Sequence, residues 1–181
     1  MSPTYSGRLI TKRFLNMQKI KFLFTLYILL LGSLNVQAAE IGQAAPQFTL
    51  PALLNDQATT LKQYTGKVIY LDFWASWCAP CRTSFPLLNK LQQKYKEKGF
   101  EVVAINLDED KANAAKFLKD IPVDFTILRD SSGELADQYV VESMPTSFII
   151  DKQGVIQNIH HGFVSGDIDE IDKKVVKLLA D

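Results

Sequence analysis

Polar and apolar positions follow three rhythms along this chain, and each change of rhythm marks an element. Val68 to Trp74 (VIYLDFW) and Phe100 to Leu107 (FEVVAINL) are apolar, β-branched or aromatic at almost every position. Runs of that kind fill strands buried on both faces. Between them Leu88, Leu91 and Tyr95 recur at i, i+3 and i+7 among lysines and glutamines. That spacing predicts a helix, closed by Gly99 and kinked at Pro86. Strand, helix and strand in this order make a βαβ unit, which calls for parallel pairing and a right-handed crossover.

The flanking segments are shorter. Gln47 to Leu50 and Ala58 to Leu61 read as two strands around an Asn55-Asp56 turn, with Pro46 and Pro51 bounding the first, so an N-terminal hairpin is expected. A helix from about Lys111 to Lys119, a strand at Phe125 to Leu128 and a short helix over Ser132 to Tyr139 follow the second buried run. Ser147 to Asp151 and Val155 to His161, joined by Lys152-Gln153-Gly154, form an antiparallel hairpin. Ile168, Ile171, Val175 and Leu178 lie on one face of a last helix that starts near Ser165. Alternation first and a hairpin plus helix last predict an α/β fold: a three-layer α/β/α sandwich with a mixed central sheet.

The formal charge of zero hides a division. Residues 1–38 carry Arg8, Lys12, Arg13, Lys19 and Lys21 and no acid, which leaves 15 basic against 20 acidic residues, a net charge of −5, for the remainder. A mildly acidic domain has no electrostatic footprint for nucleic acid. Phe22 to Leu34 is an uncharged run of 13 residues preceded by Lys19 and Lys21 and followed by Val36-Gln37-Ala38. A basic start, a short apolar stretch and small residues before a cut match a secretory signal peptide, 1–38, cleaved after Ala38. The mature domain is then 39–181, and the destination is periplasmic. As a helix the run spans about 20 Å, short of the roughly 30 Å hydrocarbon core, so an uncleaved N-terminal anchor is the alternative. Met17 to Ala38 alone makes a complete signal, so Met17 is a second candidate start.

Cys78 and Cys81 are the only cysteines, in Trp77-Cys78-Ala79-Pro80-Cys81. A structural disulfide in an exported domain usually closes a long loop; a two-residue gap closes almost none. One helical turn instead brings the two sulfurs within exchange distance. The preceding strand ends three residues before Cys78, so the first sulfur meets the free N–H groups and positive end of a helix. Cys78 is the expected nucleophile and Cys81, one turn inside, the resolving thiol. Zinc normally needs four ligands, and the two histidines, His160 and His161, point to opposite faces of a strand; no metal site and no cofactor is expected. Trp77 is either a packed aromatic or an exposed ring that shields the disulfide and meets a partner. Asp72 sits in an otherwise apolar strand. Buried there, its carboxyl pKa rises and it can relay a proton near neutrality; a solvent-facing edge position is the alternative.

With these residues assembled, the chain resembles the thioredoxin superfamily, and more narrowly its exported TlpA/ResA-like thiol-disulfide oxidoreductases. Leu71 to Cys81 (LDFWASWCAPC) resembles the active-site signature, Pro86 the helix-kink proline, Met144-Pro145-Thr146 the cis-proline loop, and Gly162 the glycine after the last strand. Ile41 to Phe48 and the extra strand-helix segment from Pro122 to Val140 are typical of the TlpA-like branch. The resemblance implies a thioredoxin-like fold, a cis Met144-Pro145 bond, and a Trp77, Met144, Pro145 and Thr146 surface where an extended substrate pairs. It also implies oxidised exported proteins as substrates, haem-attachment cysteines of apocytochrome c or copper-site cysteines among them, and a membrane thiol donor that restores the dithiol. A monomer is expected.

Two departures matter. Ala79-Pro80 replaces the Gly-Pro of thioredoxins proper and lacks the histidine that strong periplasmic oxidants carry, which places the couple toward the reducing end of the family's range. Ala104 stands where thioredoxins have a lysine near the buried acid. Two rival functions remain: copper delivery through Cys78, Cys81 and His160 or His161, and a thiol peroxidase. The second would want a threonine three residues before the reactive cysteine, where Ala75 stands.

Overall fold

The computed structural model describes residues 39–181. The expected signal segment, 1–38, lies outside them. No helix among the described residues is long and apolar enough to cross a membrane.

Among the described residues, seven strands and four helices run in the order β1 (Thr49–Pro51), β2 (Ala58–Thr60), β3 (Val68–Trp74), α1 (Ala79–Tyr95), β4 (Phe100–Asn106), α2 (Lys111–Asp120), β5 (Thr126–Arg129), α3 (Glu134–Gln138), β6 (Thr146–Ile150), β7 (Ile156–His161) and α4 (Asp167–Ala180). β1 and β2 form the small antiparallel hairpin. The other five build one sheet in the order β5-β4-β3-β6-β7.

The sheet is mixed because its connections differ. β3, β4 and β5 are parallel, each joined to the next by a helix long enough to cross back over the sheet. The two crossovers move the same way along the sheet, so a common hand places α1 and α2 on one face. β6 and β7 are antiparallel, joined by the tight Lys152-Gln153-Gly154 turn.

Alternation along β3 sorts the core. Tyr70 and Trp74 point into the cluster made with Phe85 and Leu88 of α1, Phe117 of α2, and Ile171 and Val175 of α4. Leu71 and Phe73 point the other way, against Phe148, Leu135, Tyr139, Phe48 and Leu61. The first face is closed by rings packed at tilted and edge-on angles: Phe85 and Phe117 each lie 4.7 Å from Trp74, centre to centre, and Phe125 lies 5.3 Å from Phe85.

The stretch from Gly42 to Leu53 straps the second face from edge to edge. At one edge the Gly42 N–H donates to the Ile156 carbonyl, and the Ile156 N–H to that of Gln43, at 2.8 and 2.9 Å. At the other edge the Leu53 N–H donates to the Ile127 carbonyl at 2.9 Å. Ala45 and Phe48 are buried between.

Element ends differ from the sequence reading for local reasons. β1 begins at Thr49 because Phe48 turns into the core, and β2 stops at Thr60 because Leu61–Tyr64 winds into a 3-10 turn. α3 starts at Glu134, two residues later than expected, where the Asp130 carboxylate accepts the Leu135 and Ala136 N–H groups at 3.0 Å. α4 begins at Asp167, two residues after Ser165, with Gly166 as its N-cap. Pro86 lies inside a helix that continues on both sides, without the hydrogen bond its N–H would make to Arg82. A 3-10 turn at Lys96–Lys98 extends α1, and Gly99, at φ +89°, ends it in the left-handed region that glycine reaches without strain.

Candidate active site

β3 delivers the site. Its last residue, Trp74, is followed by a tight turn, Ala75-Ser76-Trp77, in which the Cys78 N–H donates to the Ala75 carbonyl at 3.1 Å. Cys78 is the N-cap of α1, and its Sγ accepts the Cys81 N–H at 3.2 Å. A capping atom at this position satisfies one of the helix's free donors and sits at the positive end of its dipole. Cys78 and Cys81 are joined in a disulfide with their Cα atoms 5.3 Å apart. Both are buried, at 3% and 0% exposure, so enclosure hardly distinguishes them. Trp77 is 71% exposed, which leaves its ring free beside the disulfide and removes the packed-aromatic reading.

The turn is held from β4. The Asp108 carboxylate accepts the Ser76 N–H at 2.9 Å, the Ser76 hydroxyl at 2.8 Å and the Asn106 side-chain amide at 2.8 Å. Asn106 and Asp108 are both buried, and the Leu107 N–H donates to the Trp74 carbonyl at 3.0 Å. Nothing in the sequence pattern marks this clamp.

Asp72 is 1% exposed and lies on the face that carries α1, so the edge-strand alternative is gone. Its strand neighbours in register are Ala104 on β4 and Ser147 on β6. Ala104 offers no charge. The Ser147 hydroxyl donates to Asp72 Oδ1 at 2.7 Å, and Oδ2 is buried without a hydrogen-bond partner. Burial pushes the Asp72 carboxyl up from 3.8 to about 7, with the Ser147 bond pulling it partly back. Two residues earlier, the Tyr70 hydroxyl is also buried, close enough to Ser147 for that side chain to act on it. Burial first, and then the Asp72 charge, raise that phenol above its ordinary value. Neither Ser147 nor Tyr70 stands out as a site residue in the sequence; the alternation that puts Tyr70 on the Asp72 face is the available signal.

The Met144-Pro145 bond is cis. Thr146 pairs with Phe73, so the loop before β6 lies at the same end of the sheet as Cys78. Met144 packs on the cluster that contains both cysteines. Pro145 and Thr146 are buried, and the Thr146 hydroxyl lies 2.7 Å from the Ser143 carbonyl, to which it donates, and 3.2 Å from His161 Nδ1. The Gly162 N–H donates to the Pro145 carbonyl at 2.8 Å, with Gly162 at φ +74°.

The histidines are engaged separately. His160 Nε2 lies 3.1 Å from Asp167 Oδ2, while His161 is on the Thr146 side. Among the described residues no three His, Cys, Asp or Glu side chains come together as a metal-holding group. Ala75, where a peroxidase would want threonine, is buried and has no hydroxyl.

A cysteine pair at the start of the helix that follows the central strand, with a cis-proline loop at the same sheet end, defines a thioredoxin-fold thiol-disulfide oxidoreductase. The family model Redoxin matches residues 40–175. The thiol-disulfide oxidoreductase ResA of Bacillus cereus is 37% identical over 172 residues, covering 88% of this chain and 99% of the relative. A crystal structure from Chlorobium tepidum, described as a thiol:disulfide interchange protein DsbE, superposes with a TM-score of 0.75 at 44% identity, covering 78% of this chain and 99% of that one. A solution structure described as a protein disulfide isomerase, from Bacteroides thetaiotaomicron, shares the fold with a TM-score of 0.72 at 24% identity, over 79% of this chain and 92% of that one. The chain belongs to the Redoxin family and, within it, to the ResA-like thiol-disulfide oxidoreductases.

Proposed function

We propose that this oxidoreductase is exported by a signal cleaved after Ala38 and reduces disulfides of exported proteins in the periplasm. The Cys78 thiolate attacks one sulfur of a substrate disulfide, forming a mixed disulfide and releasing the other sulfur as a thiolate. Cys81 gives its proton to the Asp72 carboxylate and attacks Cys78 Sγ. The second substrate sulfur leaves, and Cys78 and Cys81 end joined, as in this structure. Two electrons have passed to the substrate; a membrane thiol donor returns them by the same exchange run from its own dithiol. The Met144 backbone pairs with the extended substrate and the exposed Trp77 ring flanks the contact, while Thr146, buried beneath the loop, supports it through its bond to the Ser143 carbonyl.

The reducing direction rests on what surrounds Cys78. Its sulfur receives one backbone N–H at the helix start, and Ala79 and Pro80 bring no charged side chain to stabilise the thiolate further. Couples that are strong oxidants owe that to a stabilised reduced form. Haem-attachment cysteines of apocytochrome c and cysteines of copper sites are the substrates put forward, on the TlpA-like resemblance, with the protein acting as a monomer. The deciding experiment equilibrates the full chain with glutathione and reads the Cys78–Cys81 potential. We expect a value nearer about −270 mV than −120 mV, and a value near −120 mV overturns the reductase assignment. N-terminal sequencing of the exported protein should begin at Ala39.

A further inference from the structure

We infer that Ser147 is the positioning residue of the Asp72 carboxyl: its hydroxyl fixes Oδ1 and leaves Oδ2 as the oxygen that takes the Cys81 proton during resolution. The inference rests on the relay role of Asp72 proposed above and names the residue that makes it directional.

Three observations carry it. The Ser147 hydroxyl donates to Oδ1 at 2.7 Å, with both residues 1% exposed, so water does not compete for the bond. Register holds the two together, because Leu71 pairs with Phe148 and Phe73 with Thr146 on either side of the Asp72–Ser147 pair. Phe73 and Phe148 also pack ring to ring on the opposite face, so the serine cannot slide along β3. Finally, the other strand neighbour is Ala104, which makes Ser147 the one cross-strand donor. Oδ2 has no partner in the oxidised state. A carboxyl with one oxygen tied and one bare presents a single site for a proton.

The other titratable and charged groups on this side are few. Tyr70 lies on the same strand, feels the Asp72 charge and is itself acted on by the Ser147 side chain. Cys78 and Cys81 come from α1. His160 pairs with Ser147 from β7, and its partner Asp167 opens α4. Loss of the serine bond takes away the one interaction that opposes burial, so Asp72 holds its proton to higher pH.

β6 begins at the cis Met144-Pro145 loop, so the strand proposed to meet the substrate also carries the donor that orients the proton acceptor. Release of the substrate and movement of the proton are thus supported from one rigid element.

The test uses the full chain and an oxidised model peptide, with the resolution rate followed against pH, and the Asp72 side chain followed by carboxyl carbon NMR. Ser147→Ala should move both midpoints up by about one pH unit, from the strength of a hydrogen bond to a charged group. Ser147→Thr, which keeps the hydroxyl, should restore both. The inference is overturned if Ser147→Ala leaves the profiles on those of the parent while Asp72→Asn changes the rate profile. If Asp72→Asn leaves the rate profile unchanged, the relay role itself fails and the inference falls with it. A Ser147→Thr variant that behaves like Ser147→Ala also overturns it, since packing would then be the cause.

Discussion

Replacing Asp72 by asparagine keeps the size and the Oδ1 acceptor of the side chain and removes its titration. The consequence for stability can be worked out. Burial lifts the carboxyl from 3.8 to about 7 in the folded protein, which penalises the ionised form by about 4 kcal/mol. The folded state holds the proton more tightly than the unfolded chain. Stability is therefore highest when both are protonated, falls as pH rises through the window from about 4 to about 7, and levels off above it. Of the full penalty, about 3 kcal/mol is lost between pH 5 and pH 9. The assay is denaturant unfolding of the oxidised protein and of Asp72→Asn at a series of pH values across that range. Subtracting one curve from the other cancels every other titrating group. The variant should gain about 3 kcal/mol on the parent from pH 5 to pH 9, most of it below pH 7.5. A difference that stays constant with pH refutes the buried, proton-holding carboxyl; one that widens toward acid reverses the sign of the argument.

Other substitutions probe the remaining parts. Cys81→Ser should accumulate a mixed disulfide at Cys78 when challenged with an oxidised peptide, seen as a peptide-sized mass increase under non-reducing conditions, whereas Cys78→Ser should not. Asp108→Ala leaves the Ser76 N–H and the Asn106 amide without their acceptor; denaturant unfolding should show a loss of about 2 kcal/mol or more, and the peptide-reduction rate should fall as the turn before Cys78 loosens. Phe85→Ala removes the ring that joins Trp74, Phe117 and Phe125, and should cost about 3 to 5 kcal/mol in thermal or denaturant unfolding.

What could be read from the chain follows from how far each signal reaches. Val68 to Trp74 announces a buried central strand within seven residues, and the alternation inside it separates Tyr70, Asp72 and Trp74 from Leu71 and Phe73 by odd and even position alone. The cysteine pair and its place at a helix start are equally local. Ser147 and Asp108 could not be recognised that way, because their roles depend on which residue stands opposite on another strand. Cross-strand register is a property of the assembled sheet. The exposure of Trp77 depends on how sharply the turn before Cys78 bends, and that bend is set by Asp108 from 32 residues away. The Gly42–Leu53 strap is invisible for the same reason: its partners at the sheet edges, Ile127 and Ile156, belong to strands formed far downstream.

That strap orders events in time. A chain is made from its first residue onward, and Gly42 must wait for Ile156, a strand near the other end, before its backbone has a partner. The opening segment of the domain is consequently among its last parts to settle. Until β7 has been made, Gly42 and Gln43 have no strand at that edge to pair with. Once β7 is in place the strap closes over the finished sheet, and the first part of the domain to be made is locked last.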